Sequence, residues 1–259
     1  MFWDLGIPSD LYNHQKRGPP ALQTFKDFGY DGIALIESVT GKVLSKSSIK
    51  IPPKPAIGIS LSSPRPFSMK SRLNVLLEDL QQVHSLSSNN ACIQSYDLLS
   101  VRPTSEKLFY QCCQSIDCDI ISLDLSGRLP FQLKFPAVDS AISRGIYFEI
   151  SYGPIIADSA SRHHILSNCM NLVRVTKGKN LIITSSALGA LSIRNPYDVM
   201  NLCALIGLNQ AQARAAISTN AEAAILHGEI RRTAQGVCLA TSMTDSSIPN
   251  DCQWIMDDL

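Results

Sequence analysis

Residues 144–165 read RGIYFEISYGPIIADSASRHHI, and the stretch closes at 178–187 with GKNLIITSSA. Ile146, Phe148 and Ile150 alternate with Tyr147, Glu149 and Ser151, the period of a strand. Gly153 and Pro154 break it. Asp158 can cap a following helix whose apolar positions Ile165, Cys169, Leu172 and Val173 share one side. Gly178 ends that helix, with Lys177 in its last turn, where a cation suits the helix dipole. Leu181 to Thr184 is a short apolar run of the buried-strand type. A β-α-β unit of this kind requires a parallel sheet around it. One feature of the helix start is odd. Arg162, His163 and His164 sit in the first turns, where the dipole is already positive. A phosphate would satisfy both the free N–H groups and the arginine. A solvated polar face, or pairing with Asp158, is the plainer reading, and on the residues alone it is preferred.

The same rhythm extends in both directions. Phe2 to Ile7 reads as a strand, and a helix follows Pro19 and Pro20 with Leu22, Phe25 and Phe28 on one side. Further strands are expected over Ile33 to Ile36, Arg72 to Leu77, Tyr96 to Val101 (ended by Pro103) and Asp119 to Leu123. A poor helix is expected near Leu80 to Leu86, one capped by Thr104, and one over Pro136 to Ser143. Residues 38–70, rich in Ser, Lys and Pro, read as a long excursion with a short strand at Ile57 to Leu61. After Ala187 come helices capped by Asn195 and Asn209, and a last one opened by a Thr219-x-x-Glu222 capping box. Residues 241–259 are polar, acidic and aperiodic, and are expected to be a disordered tail. Strand and helix alternate over residues 1–240 with the length and rhythm of a single β/α barrel, distorted because no eighth strand can be found. An open doubly wound sheet is the runner-up. No G-x-G-x-x-G follows the first strand, which counts against dinucleotide binding.

Composition bounds the function. The chain has 259 residues, 45% hydrophobic and only 17% charged, with a formal net charge of +1, so nothing pulls it as a whole towards nucleic acid or a membrane. Residues 144–232 hold nine Lys/Arg against five Asp/Glu, a weakly basic C-terminal half. The 8 cysteines form no C-x-x-C pair and fall in apolar contexts, as reduced buried thiols of an intracellular protein would. No stretch reads as a signal peptide or a bilayer span.

In a barrel, chemistry collects at the C-terminal strand ends. Those ends supply few carboxylates and almost no histidine, and His14, His84, His163, His164 and His227 make no H-x-H or H-x-x-x-H pattern. A hydrolytic metal cluster needs several such ligands converging on one point. Ser185 and Ser186 lack the G-x-S-x-G of a nucleophile elbow. Asp4, Asp97, Asp119 and Asp124 read as strand-end caps rather than acids or bases. The residues alone describe a barrel without an evident active site.

Several short motifs, weak singly, form a specific set in order. They are Asp4-Leu5, Gly29-Tyr30, Ala34, Tyr96-Asp97, Glu106-Lys107-Leu108-Phe109, Leu129-Pro130-Phe131, Arg144-Gly145 and Phe148-Glu149 in the first part. Asp158 with Arg162, Gly178-Lys179-Asn180, the Ser185–Ala187 turn, Ile193-Arg194, Pro196-Tyr197-Asp198-Val199, Ser218-Thr219-Asn220, His227-Gly228-Glu229 and Arg231-Arg232-Thr233 complete it. With them the chain resembles the thirty-kilodalton protein subunit family of nuclear and archaeal ribonuclease P, shared in eukaryotes with ribonuclease MRP. The resemblance implies a TIM-barrel-like fold related to the polymerase-and-histidinol-phosphatase (PHP) phosphoesterases. Those enzymes open on a metal-binding H-x-H, where this chain has Asp4-Leu5-Gly6-Ile7.

The implied role is 5′ leader removal from precursor tRNA, and pre-rRNA processing in the MRP particle. The RNA subunit and its magnesium ions would do the chemistry, and no cofactor or metal would be bound by this chain. The resemblance also implies an RRM-like partner subunit in a two-plus-two assembly, and residence in the nucleus and nucleolus. Shape-and-phosphate recognition needs only Arg and Lys spread over one face. The residues expected to contact RNA are Arg162, His163, Lys177, Lys179, Arg194, Arg231 and Arg232, followed by Arg102, Lys107, Arg128 and Arg144. His163 stands where the resemblance leads one to expect a second arginine, so its charge depends on pH. Two other readings compete: a metal-dependent PHP-like phosphoesterase acting alone, and a purely protein–protein scaffold.

Overall fold

The computed structural model describes residues 1–13, 17–40, 67–86 and 91–233. Strand β1 (Trp3–Pro8) leads through α1 (Ser9–Asn13) and α2 (Gly18–Asp27) to β2 (Gly32–Thr40) and then β3 (Ser68–Leu77). A 3-10 helix at Leu80–Leu86 and the short α3 (Ala91–Gln94) precede β4 (Leu98–Pro103). The alternation continues with α4 (Glu106–Gln114), β5 (Ile120–Ser122), α5 (Phe135–Ser143), β6 (Tyr147–Ser151), α6 (Gly153–Ala157), α7 (Arg162–Thr176) and β7 (Leu181–Thr184). A 3-10 turn at Ala190–Ser192 then leads to α8 (Pro196–Leu205), α9 (Gln210–Ile217) and α10 (Thr219–Arg232). The strands form one 7-stranded sheet in sequence order, with every neighbouring pair parallel.

The sheet curls into a nearly closed barrel, not an open doubly wound sheet. No backbone ladder joins β1 to β7 among the described residues. The seam is bridged instead by the Asp4 carboxylate, which accepts the Ser185 N–H at 3.2 Å. Gly6 permits that approach, because a Cβ there would collide with the Thr184 side chain.

The alternation along the strands divides two environments. Leu73, Val75, Leu99, Val101, Ile121, Phe148, Ile150 and Ile183 join the core beneath the outer helices. The opposite face points inward in layers. At the N-terminal end Trp3, Leu5, Leu98, Ile120, Tyr147 and Ile182 pack with Ala221, Ala224 and Ile225 of α10, which closes that end. Above them the interior is polar. Arg72 and Glu149, 0% and 4% exposed, form a bidentate ion pair, with a 2.8 Å bond from Nη1 to Oε1. Arg72 also donates to the Leu5 carbonyl at 2.8 Å and to Ser100 Oγ at 3.0 Å, while Thr184 Oγ1 donates to Glu149 at 2.8 Å. Barrel interiors are ordinarily filled by Val, Ile and Leu; here one fully satisfied ion pair takes their place.

Several sequence expectations need correction. Asp158 does not cap α7: its carboxylate closes a turn by accepting from Ala160 N–H and Ser161 Oγ, and α7 starts at Arg162. The capping box belongs to Asn209 and Gln212 at the start of α9, while α10 begins with no side-chain cap. Ser105, not Thr104, caps α4, because Thr104 Oγ1 is bonded to the Leu77 carbonyl. Pro103 lies inside β4 as its last residue, and the helix at Leu80–Leu86 is a 3-10 helix. The excursion is shorter than 38–70, since β2 runs to Thr40 and β3 starts at Ser68. The strand expected at Ile57 to Leu61 and the tail at 241–259 lie outside the described residues.

Candidate nucleic-acid interface

The barrel sends the residues expected to contact RNA to different places. Segments that follow a strand lie at its C-terminal mouth, and segments that precede one lie at the base. Arg102, near the C-terminal end of β4, and Lys107, Arg128, Arg162 and His163, after β4, β5 and β6, therefore surround the mouth. Arg144, Lys177, Lys179, Arg231 and Arg232 lie at the base. Arg194 sits by the seam, its N–H donated to Tyr152 Oη at 3.1 Å and its carbonyl accepting from Tyr30 Oη at 3.0 Å.

At the base most of the cations are committed to the fold. Arg231 is buried and holds Asp119 through Nε and Nη2, the latter at 3.0 Å, so its guanidinium is engaged within the fold. Its neighbour Arg232 pairs with Asp97 at 3.1 Å. Arg144 donates to the carbonyls of Cys112, Cys113 and Ile116, capping the end of α4. The ammonium of Lys177 lies 4.6 Å from the Phe135 ring centroid. Lys177 and Lys179 remain exposed.

The acids in this clamp are also strand-end caps, as the sequence suggested. Asp97 accepts the Ser71 N–H at 2.8 Å and Asp119 the Leu99 N–H at 2.7 Å. His227 of α10 meets Asp119 at 2.7 Å, and that hydrogen bond holds its pKa above the ordinary imidazole value against the opposing effect of burial. Gly228 lets α10 lie this close, because a Cβ there would collide with the Asp97 carbonyl.

The mouth is different in kind. Lys107 and Arg128 are exposed. Arg162 is exposed too, but its guanidinium donates to the Ile155 and Ile156 carbonyls at 2.7 and 3.2 Å. This capping of α6 explains the odd cation at the start of α7: it serves the free carbonyls of the preceding helix. A polar cavity of about 250 Å³ opens inside the rim, lined by residues that include Glu37, Asn74, Arg102, Ser122, Ser151 and Ser186. Ser186, at φ 47°, donates to Ser151 Oγ at 2.9 Å. Ser151 in turn lies 3.2 Å from Thr184 Oγ1, so hydroxyls connect the mouth to Glu149. Burial alone would raise the Glu149 pKa. The Arg72 charge and hydrogen bonds from Arg72, Ser122 and Thr184 outweigh it and keep the carboxyl below its ordinary value.

Among the described residues, no group of three His, Cys, Asp or Glu side chains could hold a metal ion. The described cysteines Cys112, Cys113, Cys118, Cys169 and Cys203 are free and buried, and burial pushes the thiols of Cys113, Cys169 and Cys203 up to about 12. They are therefore poor nucleophiles and poor metal ligands.

Fold and site define a class: a β/α barrel with a salt-bridged interior and arginine and lysine side chains around its mouth. The sequence model of a family described as RNase P subunit p30 matches residues 1–233, and the chain belongs to that family. It is 42% identical over 173 residues to the ribonuclease P protein subunit p30 of Mus musculus, covering 67% of this chain and 65% of the mouse protein. Over 194 residues it is 27% identical to the ribonuclease P/MRP protein subunit RPP1 of Saccharomyces cerevisiae, covering 74% of this chain and 65% of the yeast one. The chain thus spans about two thirds of the length of each. Among solved structures, a chain of archaeal ribonuclease P with mature tRNA aligns with a TM-score of 0.63 at 13% identity. The alignment covers 93% of this chain and 97% of that one, and at this identity it establishes the shared fold.

Proposed function

We propose that this chain is a protein subunit of the ribonucleoprotein ribonuclease P, which removes the 5′ leader from precursor tRNA, and of ribonuclease MRP. It binds and shapes the catalytic RNA, whose magnesium ions carry out the cleavage, and supplies no catalytic group itself. The observation that carries this reading is family membership over residues 1–233, which takes in the whole described barrel. The mouth gives it a physical basis. Lys107 and Arg128 are exposed cations on a rim held rigid by β4 and β5, an arrangement that suits phosphate contacts without base reading. The assembly includes an RRM-like subunit in a two-plus-two arrangement, and the particle works in the nucleus and nucleolus. The test is to purify the tagged full-length protein from its own cells under native conditions, crosslink, and sequence the attached RNA. Recovery of a ribonuclease P or MRP RNA crosslinked to this chain is expected. Recovery of those RNAs with no crosslink to this chain would favour a protein–protein scaffold, and recovery of no RNA would overturn the assignment.

A further inference from the structure

Three cavities at the mouth have one residue in common, Arg102. Beside the polar one lie two more, of about 430 and 320 Å³, which share Arg102, Leu123, Asp124 and Ser126. Both volumes fall in the range of roughly 300–1,000 Å³ typical of small-ligand sites. The larger has an apolar wall of Leu76, Pro103, Leu123, Leu129 and Phe131. Phe131 is held by stacking on Phe109, with ring centroids 5.1 Å apart. The wall's backbone is held as well: Asn168 of α7 donates to the carbonyls of Leu125 and Gly127 at 3.0 and 2.7 Å. The pocket is therefore formed before anything enters it.

The guanidinium of Arg102 at its edge is poorly satisfied from within the protein. Arg102 makes one long hydrogen bond, Nη2 to Ser122 Oγ at 3.3 Å, and its buried Nε has no partner. Arg72, deeper in the interior on the neighbouring strand β3, uses all three of its nitrogens. A guanidinium with spare donors beside a cavity calls for an acceptor with several oxygens. Arg128 lines the same cavity. The one acid there, Asp124, is held below the usual carboxylate range by its hydrogen bond from Ser126, with Arg102 adding to the effect, so it is an ionised acceptor at neutral pH.

We infer that this pocket takes a single unpaired nucleotide of RNA, its base against the Leu76–Leu129–Phe131 wall and its phosphate on Arg102 and Arg128. The inference rests on the RNA-binding reading above and adds the class of RNA element recognised: an extruded, single-stranded nucleotide instead of a duplex backbone. Two cations against one carboxylate leave a single positive charge, matching one phosphodiester. The apolar wall supplies the sequence-tolerant face on which unpaired bases pack. Asp124, an acceptor at the base edge, favours bases bearing an exocyclic amine over uracil.

The test uses the native particle purified through the tagged full-length chain. It is irradiated at the wavelength of zero-length crosslinking and digested with nuclease, and the residues carrying single-nucleotide adducts are mapped by mass spectrometry. Adducts are expected on the segment from Leu123 to Phe131. In an Arg102→Met particle they should fall about tenfold relative to adducts elsewhere on the chain, with recovery of the RNA retained. In an Asp124→Asn particle the share of uridine among the adducts should rise. Adducts confined to other segments, or unchanged in Arg102→Met, would overturn the pocket while leaving the RNA-binding reading intact. Absence of any copurified RNA would remove both.

Discussion

At the scale of single residues, the interior of this barrel is governed by groups that would be costly if left alone. Arg72 and Glu149 satisfy one another in a space closed to solvent. Removing either partner leaves an uncompensated buried charge, which typically costs about 3–5 kcal/mol, whereas replacing both with apolar groups of similar volume costs far less. Glu149→Gln and Arg72→Met should each lower the denaturation midpoint strongly, and Arg72→Met with Glu149→Leu should recover most of the loss. A double mutant as unstable as the sum of the singles would show that the pair is not an isolated unit. Asp4 behaves oppositely to Glu149. Burial raises its pKa to about 6, partly offset by hydrogen bonds from Ser185 and Gly6. The folded protein therefore keeps a proton that the unfolded chain releases nearer pH 4, so the contribution of Asp4 to stability falls as pH rises from about 4 to about 6. Moving from pH 7 to pH 5 should gain about 1 kcal/mol from this group. Asp4→Asn, which keeps an acceptor for the seam, should remove that part of the pH dependence in urea titrations at the two pH values.

At the scale of elements, α10 completes the barrel by closing its base instead of its seam. Its small residues Ala221 and Ala224 enter the apolar layer, and Arg231, Arg232 and His227 grip the acids before β4 and β5. The pKa of His227 is raised in the folded state, so its contribution is full below the ordinary imidazole value and is lost as pH rises through the raised one. Amide exchange of α10, corrected for intrinsic rates, should show protection falling over that window in the wild type and not in His227→Gln. Arg231→Met should cost about 3 kcal/mol by leaving Asp119 short of a charge partner. The sequence made parts of this visible. The alternation at 146–151 located β6, and Asp97 and Asp119 could be read as strand-end caps because their partners lie across one strand pair. The grip of Arg231 on Asp119 spans 112 residues and leaves no local trace, so the sequence alone presents Arg231 as a cation open to RNA. A further signal was present but unread: Arg72, Asn74, Ser100, Arg102, Glu149 and Ser151 recur with period two inside strands that are otherwise apolar, the mark of a polar barrel interior.

At the scale of the whole molecule, a net charge of +1 conceals a division of labour between the ends. The base spends three arginines on the fold, Arg144 capping α4 and Arg231 and Arg232 neutralising acids, while Arg174, Lys177 and Lys179 remain exposed. The mouth keeps Lys107 and Arg128 at the surface, and Arg102 half-satisfied beneath them. Counting basic residues along the chain could not separate these sets, because β/α alternation sends successive loops to opposite ends. The separation gives a test that total charge does not. Each phosphate neutralised contributes about 0.7–0.9 to the slope of log K against log salt concentration. If the mouth faces RNA, Lys107→Ala with Arg128→Ala should flatten that slope by roughly 1.4–1.8 in binding of the full chain to the particle's RNA. Lys177→Ala with Lys179→Ala removes the same formal charge, so it should leave the slope nearly unchanged. Equal flattening by the two pairs would mean that RNA reaches both ends of the barrel. Flattening by the base pair alone would turn the molecule over, and would leave the mouth cavities to some other ligand.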